Sequence, residues 1–363
     1  MNDGPARIAR LRLLRSANVG PVTYRQLIAR FGTAGAALEA LPMLAARGGG
    51  RAPRIADERT VLNEIARVER LGARYLFLED ADYPPLLAEM ESAPPALIVR
   101  GDIAIAHRPC VAMVGARNAS AAACRFARQI AHGLAEAGVA VVSGLARGID
   151  TAAHAGSLGG GTVGVIACGI DVVFPPENAE LQEAVATRGL LIAEQPPGTE
   201  PLARLFPTRN RVIAGLAQGV VVVEAAPRSG SLITARLAAE EGREVMAVPG
   251  SPLDPRAQGC NLLIREGATL VQSVEDILEQ VRPIDARSVR APDGGYAGPP
   301  PRDASDAERA AVTRLLGPVP VAVDELIRQS GRAPAVVQTV LLELELGGRL
   351  ERHAGGRVSL APE

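Results

Sequence analysis

The middle of the chain alternates short apolar segments with segments whose apolar residues recur at helical spacing. The apolar segments are rich in valine, isoleucine and alanine, which favours strands buried on both faces of a sheet. Strands are predicted at 111–115, 139–144, 161–171, 190–199, 220–226 and 243–250. Strands that alternate with helices predict an α/β fold with a doubly wound parallel sheet, which binds ligands outside the carboxyl ends of its strands.

The two ends of the chain show a helical pattern instead. Residues 5–47 have apolar positions at helical spacing around a Gly-Pro turn, which predicts two short helices in a helix-hairpin-helix-like arrangement. Near the other end, three short helices are predicted at 307–316, 323–329 and 334–346, followed by a hairpin that turns at two glycines. Three helices and a hairpin are typical of a winged helix.

A stretch rich in proline and glycine separates the last helices from the rest of the chain. It has no apolar period and reads as a linker. We therefore predict a helical domain over 1–82, a Rossmann-like sheet domain over 83–282, a linker over 283–305 and a winged-helix domain over 306–363.

Composition is that of an ordinary globular protein. The 363 residues carry a formal net charge of −1 and are 47% hydrophobic, and no apolar run approaches the ~18 residues of a membrane span. The N-terminus lacks the pattern of a signal peptide, so we expect a cytoplasmic protein without a membrane partner. The four cysteines of the chain are widely separated, with no histidine at ligand spacing. We therefore expect no disulfides, no metal site and no cofactor.

The chain contains no lysine, so all 39 residues of the combined lysine and arginine count are arginine. This excludes a P-loop lysine on a γ-phosphate and a Schiff-base amine. Chemistry that depends on positive charge must therefore use arginine.

One turn after a predicted strand is suited to an anion. Ser229, Gly230 and Ser231 open a helix, where free backbone N–H groups, the helix dipole and two hydroxyls favour negative charge. Arg209, Arg211 and Arg228 lie close to this turn in sequence. A turn that merely closes a βα unit would look similar, yet with these arginines the pattern indicates a nucleotide or a phosphate backbone as ligand.

Further polar and basic residues follow the other strands. Arg117 comes after the first predicted strand, Ser143 and Gly144 end the second, and Arg147 follows them. Because the carboxyl ends of parallel strands meet at one edge of the sheet, we expect these residues to share that edge with the serine turn.

The terminal domains are less informative. Residues 5–47 carry seven arginines against one acid, and either contact with a nucleic-acid backbone or a solvated basic face would explain them. The third predicted helix of the winged helix has no basic residue between Arg332 and Arg349. We therefore expect that helix to serve packing or protein contact rather than sequence-specific DNA reading.

Six sequence blocks resemble one family. The blocks VGARNAS, SGLARGIDTAAHAGSL, CGIDVVFPPEN, FPTRNRVIAGL, EAAPRSGSLITARLAAEEGREVMAVPG and GCNLLIREGA span residues 111–271 almost without interruption. They resemble the bacterial DNA-processing protein A family, also called DprA or Smf. The resemblance implies an extended Rossmann domain that binds single-stranded DNA and is not an enzyme. It also implies a competence role in natural transformation and DNA recombination: protection of incoming single strands, loading of the RecA recombinase, work alongside single-strand binding protein, and a homodimer.

The resemblance also assigns residues. Gly115, Ala116 and Arg117 correspond to the family's phosphate-contacting turn, and the FPTRNR block and the SGS turn correspond to further walls of the DNA pocket. Relatives often place lysines there, whereas this chain has only arginine, which can neutralise phosphate and stack on bases. The predicted DNA-binding residues are Gly115, Ala116, Arg117, Ser143, Gly144, Arg147, Phe206, Arg209, Asn210, Arg211, Arg228, Ser229, Gly230 and Ser231. Ile264 and Leu270 are the predicted dimer contacts.

The competing hypothesis is an enzyme of the lysine-decarboxylase-like Rossmann group, which cleaves nucleoside monophosphates and uses a PGGxGT turn. The GGGT at 159–162 lacks the proline and leads into a strand. Asp150 and His154 stand four residues apart, as an acid/base pair on a helix would. Without a nucleophile at useful spacing, we expect Asp150 to be a helix cap and His154 to be structural.

Overall fold

The computed structural model describes residues 4–281, 303–353 and 355–362. The chain divides into two compact units, one formed by Met1–Asn63 with Arg290–Glu363 and the other by Glu64–Val289. The predicted linker lies outside the described residues except for its last three positions.

The N-terminal segment is helical. Its helices are α1 (Gly4–Arg15), α2 (Pro21–Phe31), α3 (Ala34–Arg47) and α4 (Glu58–Arg70). Three helices, rather than the predicted two, lie within residues 5–47. The additional break arises where Gly32 adopts a positive φ of 75° and Thr33 caps α3 by accepting a hydrogen bond from the N–H of Ala36 at 3.2 Å.

Neither a membrane span nor a metal cluster is evident in the described residues. No single helix there is long and apolar enough to cross a membrane; α2 and α3 reach that length and apolarity together, with a 107° bend at the break between them. The same residues contain no group of three or more His, Cys, Asp or Glu side chains arranged to hold a metal ion.

The larger unit contains a nine-stranded sheet with helices on both faces. Its strands are β1 (Arg74–Phe77), β2 (Ala96–Gly101), β3 (Cys110–Val114), β4 (Ala140–Ser143), β5 (Thr162–Gly169), β6 (Leu190–Gln195), β7 (Gly219–Val222), β8 (Glu244–Ala247) and β9 (Thr269–Leu270). Its other helices are α5 (Pro85–Ala88), α6 (Ala121–Glu136), α7 (Ile149–Ser157), α8 (Ala179–Arg188), α9 (Leu205–Leu216), α10 (Gly230–Glu240), α11 (Gln258–Arg265) and α12 (Val274–Val281).

The strand order is β1-β2-β6-β5-β4-β3-β7-β8-β9. All neighbours from β6 to β9 pair in parallel, which confirms the predicted doubly wound α/β fold. The chain builds outward from β3 to β6 and then returns to place β7 beside β3. This reversal creates a topological switch point between β3 and β7, where sheets of this kind bind their ligands.

Two strands at one edge extend the sheet in antiparallel fashion. β1 pairs with β2, and β2 pairs with β6. The sequence pattern did not predict them, because β1 has four residues and β2 directly follows a proline pair at Pro94 and Pro95. The predicted sheet domain began at residue 83, whereas the structure includes β1 at Arg74–Phe77 in the sheet.

The core of this unit has two layers, because successive strand residues face opposite sides of the sheet. In β3, Ala112 and Val114 belong to one apolar cluster, and Val111 and Met113 belong to the other. Alanines and valines on both faces bring the helices close, so the loops at the carboxyl ends of the strands start from fixed positions.

The C-terminal segment is a winged helix. Its elements are α13 (Asp306–Thr313), β10 (Val321–Ala322), α14 (Val323–Ser330), α15 (Pro334–Leu346), β11 (Leu350–His353) and β12 (Arg357–Leu360). Its third helix, α15, packs Leu342 and Leu346 into the apolar core of the N-terminal helices. Glu343 is buried on α15 and pairs with Arg309 at 2.8 Å. The third helix of a DNA-binding winged helix would contact the bases, whereas α15 packs in the apolar core of its own unit.

Candidate functional site

Two adjoining cavities lie at the carboxyl ends of the parallel strands. Their volumes are about 220 Å³ and 210 Å³. Four residues line both cavities: Arg117, Ala146, Phe206 and Arg209. The two cavities therefore form one continuous site, and its position is the one that the topology of the sheet predicts.

The first cavity has an apolar wall and an aromatic edge. Ile166 and Cys168 from β5 form part of the wall. The ring centres of Phe174 and Phe206 lie 5.8 Å apart at 55°, and the Arg117 guanidinium lies 5.1 Å from the Phe206 ring centre. A cation over an aromatic face and a tilted second ring are both favourable contacts. Arg117, Phe206 and Phe174 therefore form a row, in that order, along the opening of the first cavity.

The second cavity opens onto the N-terminus of α10. Ser229 caps this helix by accepting a hydrogen bond from the N–H of Ser231 at 3.3 Å, and the two hydroxyls lie 2.7 Å apart. A Cβ added to Gly230 would have nothing within 4 Å, so the backbone is open to a ligand there. The dipole of α10 favours an anion at this place, since its positive end lies here.

Arg209 lies between the two cavities with 7% of its surface exposed. Its Nη1 donates to the Val165 carbonyl at 3.0 Å, while its Nε has no partner among the described residues. Gly144 is required beside it, because a Cβ there would lie 1.5 Å from Nη1. Burial lowers the pKa of Arg209 and the Asp150 carboxylate raises it, but arginine stays charged, so the site keeps a buried positive charge.

Asp150 shapes the loop before α7. Its Oδ2 accepts hydrogen bonds from the N–H groups of Gly144 at 3.1 Å and Ala146 at 3.3 Å. Burial raises its pKa, and the charge of Arg209 opposes that shift. Gly148 occupies the cap position of α7, so Asp150 is not the helix cap that the sequence suggested. It fixes the loop that carries Arg147 instead.

His154 is fully buried and lies outside the lining of both cavities. Its Nδ1 lies 2.7 Å from the Thr162 hydroxyl. Burial lowers its pKa to about 3, so the ring is neutral at physiological pH. The structure therefore agrees with a structural role for His154 and not with an acid/base pair.

Most predicted DNA-binding residues line the cavities. These are Gly115, Arg117, Gly144, Arg147, Phe206, Arg209, Asn210, Ser229, Gly230 and Ser231. Arg147 also pairs with the exposed Glu177 at 2.5 Å, and Asn210 donates to the Gly230 carbonyl at 3.5 Å.

Four predicted residues lie elsewhere. Ser143 is buried beneath the site, where its hydroxyl donates to the Met113 carbonyl at 2.7 Å. Ala116 is 8% exposed, and its N–H donates to the Glu224 carbonyl, so it serves the turn rather than the surface.

Arg211 and Arg228 are the other two. Arg211 points away from the cavities, towards the Glu194 carboxylate and the Ser92 carbonyl, because two residues along a helix turn a side chain to a different face. Arg228 is exposed on the loop before α10 and is not among the lining residues. The site thus has fewer arginines than the sequence suggested.

The sequence also left some lining residues without a role. Phe174 and Asn118 line the first cavity, yet only their presence in family-like blocks drew attention to them. The Phe174 loop is held by Asp171, which accepts from the Gly198 N–H at 2.7 Å and pairs with Arg67 at 2.5 Å. Although burial raises the pKa of Asp171, those two partners lower it on balance.

The predicted dimer contacts lie at another edge of this unit. Ile264 on α11 is half-buried and packs against the core, whereas Leu270 at the end of β9 is 42% exposed. Both line one open groove, with Pro252 and Leu262. This placement leaves Leu270 as the more accessible of the two.

Three family models match successive parts of the chain. They are a DprA-like N-terminal HHH domain over residues 5–66, DNA recombination-mediator protein A over 74–282 and a DprA winged helix domain over 297–356. Among individual relatives, protein Smf of Synechocystis sp. is 33% identical over 379 aligned residues, which cover 93% of this chain and 95% of the relative.

Two solved structures resemble this fold. The X-ray structure of DNA processing protein A from Streptococcus pneumoniae is 42% identical, with a TM-score of 0.59, and covers 62% of this chain and 78% of its own. A structure of DNA processing protein A from Helicobacter pylori is described as having a unique single-stranded DNA binding mode. It is 26% identical, with a TM-score of 0.52, and the match covers 56% of this chain and 94% of the Helicobacter pylori chain. Since the central model spans more than half of the chain, this protein belongs to the DNA recombination-mediator protein A family.

Proposed function

We propose that this protein binds single-stranded DNA in the two adjoining cavities. The observation that carries the proposal is the Arg117–Phe206–Phe174 row, which places a cation and two aromatic faces along the opening of a cavity whose neighbour is suited to an anion. Nucleic acid offers both chemistries at once, a phosphate for the helix N-terminus and a base for the rings.

Single strands fit this arrangement better than duplex. Stacking on Phe174 or Phe206 requires an unpaired base whose face is free, whereas the bases of a duplex are stacked on one another. Support also comes from the relative of Helicobacter pylori that is described as binding single-stranded DNA.

The family resemblance extends the proposal to a cellular role. We propose that the protein protects incoming single strands during natural transformation, loads RecA onto them, and works beside single-strand binding protein in the cytoplasm. Dimer formation through the groove of Ile264 and Leu270 belongs to the same proposal. An exposed leucine at the rim of an apolar groove suits contact with a second copy of the chain.

The proposed role is non-enzymatic. Burial raises the pKa of Cys168 to about 11, so the thiol in the first cavity stays protonated and is a poor nucleophile. Asp150 already accepts two backbone hydrogen bonds. The alternative, a nucleoside-monophosphate-cleaving enzyme, is tested by incubation with nucleoside monophosphates: release of free base would support it.

A titration of labelled oligonucleotides tests the binding proposal. We expect a single strand of about 20 nucleotides to bind more tightly than a blunt duplex of the same length, and both to weaken as salt rises, because phosphate contacts release counterions. Equal affinities for the two at each salt concentration would overturn the proposal.

A further inference from the structure

An exposed groove between α6 and α7 is lined by basic and polar side chains. It lies in the larger unit, has a volume of about 450 Å³ and includes Arg125, Arg128, Gln129 and His132 from α6, with Gly156 from α7. No carboxylate is among its lining residues in the described structure. The positive charge of the groove comes from Arg125 and Arg128, because the lining His132 lies 3.4 Å from the Glu136 carboxylate.

The geometry of α6 places these groups in one row. Arg125, Arg128 and His132 are three and seven residues apart, which puts them on one face of the helix. Gly156 brings α7 close to α6, because a Cβ there would lie 2.3 Å from the Arg128 carbonyl oxygen. The floor of the groove is therefore backbone and small side chains, and the basic groups form its side.

Several arginines of this unit are already paired with carboxylates. Arg100 pairs with Glu183 at 2.6 Å, and Arg256 pairs with its own neighbouring aspartate. Arg125 and Arg128 make neither an ion pair nor a side-chain hydrogen bond with any described residue. Their charges are therefore available to an anion from outside the chain.

Helix α6 connects the groove with the site described above. Arg117 and Asn118 stand on the turn that leads into α6, and Ser120 caps the helix. At about 1.5 Å per residue, Arg125 and Arg128 lie roughly 6 and 10 Å along the helix from its first residue. This spacing continues the line of positive charge away from the cavities.

We propose that the α6–α7 groove holds the next segment of the same single strand, with two of its phosphates at Arg125 and Arg128. The inference rests on the proposed function, because it assigns a path to the strand that leaves the cavities. Charge complementarity and continuity with Arg117 favour a nucleic-acid backbone over an acidic segment of a protein. The strand would therefore contact the protein over more nucleotides than the cavities alone accommodate.

The test compares a short and a long strand on the Arg125→Ala/Arg128→Ala variant of the full chain. For a strand of about 20 nucleotides, we expect affinity near 0.1 M salt to fall roughly ten- to thirty-fold and the salt slope to drop by about 1.4, or about 0.7 per lost phosphate contact. A strand of about 2 nucleotides, which is short enough to occupy only the cavities, should bind the variant as it binds the unsubstituted protein. The control is Arg188→Ala/Arg236→Ala, which removes two exposed arginines outside the groove, of which Arg236 pairs with Glu240 at 3.6 Å.

Each other outcome overturns the inference. An equal loss for both lengths would mean that the substitutions disturb the cavities, and no loss for either would mean that the groove is a solvated face. Loss of labelled polyglutamate binding with unchanged DNA affinity would assign the groove to an acidic protein segment. If the unsubstituted protein fails to bind even the long strand, the proposed function itself fails, and this result is distinct from the other three.

Discussion

The guanidinium of Arg117 lies 5.1 Å from the centre of the Phe206 ring, at the boundary of the two cavities. The contact joins the turn after β3 to α9, which is nearly ninety residues further along the chain. It orients a positive charge and an aromatic face towards the same opening. A ligand that carries both phosphate and an unpaired base can use the two groups together.

Phe174 provides a first test of base stacking. Its side chain is 38% exposed and extends the aromatic row from Phe206, so Phe174→Ala should lower single-strand affinity roughly 5- to 150-fold, the equivalent of about 1–3 kcal/mol per stacked base. Fluorescence anisotropy measures the affinity. Leu202→Ala, at 41% exposure, is the control for loss of an exposed apolar group, and equal affinities for the two variants would rule out stacking by Phe174.

Gly144→Ala tests the position of Arg209. The added Cβ would lie 1.5 Å from Nη1 of the buried guanidinium, so Arg209 must leave its place at the Val165 carbonyl. We expect a loss of stability of about 1–3 kcal/mol in urea unfolding, together with weaker single-strand binding. Gly159→Ala is the control, since a Cβ there meets nothing within 4 Å. Unchanged stability of Gly144→Ala would show that the buried arginine does not need this glycine.

The buried His154 should make the free energy of unfolding depend on pH. Its pKa falls from 6.5 to about 3 on folding, because burial disfavours the charged ring. Below pH 6.5 the unfolded chain therefore binds a proton that the folded chain does not. The contribution of His154 is fully present above pH 6.5 and is lost as pH falls towards 3, by about 1.4 kcal/mol per pH unit.

Urea unfolding near pH 7.5 and near pH 5 measures this contribution. In His154→Gln the drop in stability between the two values should be smaller than in the unsubstituted chain, since glutamine does not titrate. An identical drop in the two proteins would mean that His154 is not held neutral.

Arg209 and Arg211 illustrate what could not be predicted from the sequence. The doubly wound sheet could be predicted because β3, β4, β5 and β7 are short runs of valine, alanine and isoleucine between helical segments. Both arginines then fell near the predicted ligand edge. Which of them faces the cavities depends on how α9 is rotated against the sheet, and that rotation is set by packing of Val212 and Ile213 in the core.

The Phe174 loop illustrates a second limit. Its position depends on Asp171, which is held by Arg67, 104 residues earlier in the chain. No local pattern around Phe174 encodes such a contact. The turn of Ser229 and Ser231 could be predicted more easily, because it is defined by the helix that directly follows it.

Leu270 tests the proposed dimer. Leu270→Arg should give a folded protein of monomer mass in light scattering at micromolar concentration, because an unpaired charge buried in an interface opposes association. Leu62→Arg is a control of matched exposure, at 43% against 42% for Leu270. A Leu270→Arg protein that remains a dimer, or an unsubstituted protein that is already monomeric, would contradict the assignment.

The most direct test of single-strand binding at the strand ends is the salt dependence of affinity with and without Arg117. Anisotropy titrations of a labelled single strand over a range of salt give the slope of log affinity against log salt. The proteins compared are the unsubstituted chain, Arg117→Ala and the control Arg188→Ala, which changes an exposed arginine outside both cavities. We predict that Arg117→Ala lowers the slope by about 0.7 and weakens binding roughly ten-fold or more, whereas the control leaves both unchanged. The same slope and affinity for all three proteins would contradict the placement of the DNA backbone at Arg117.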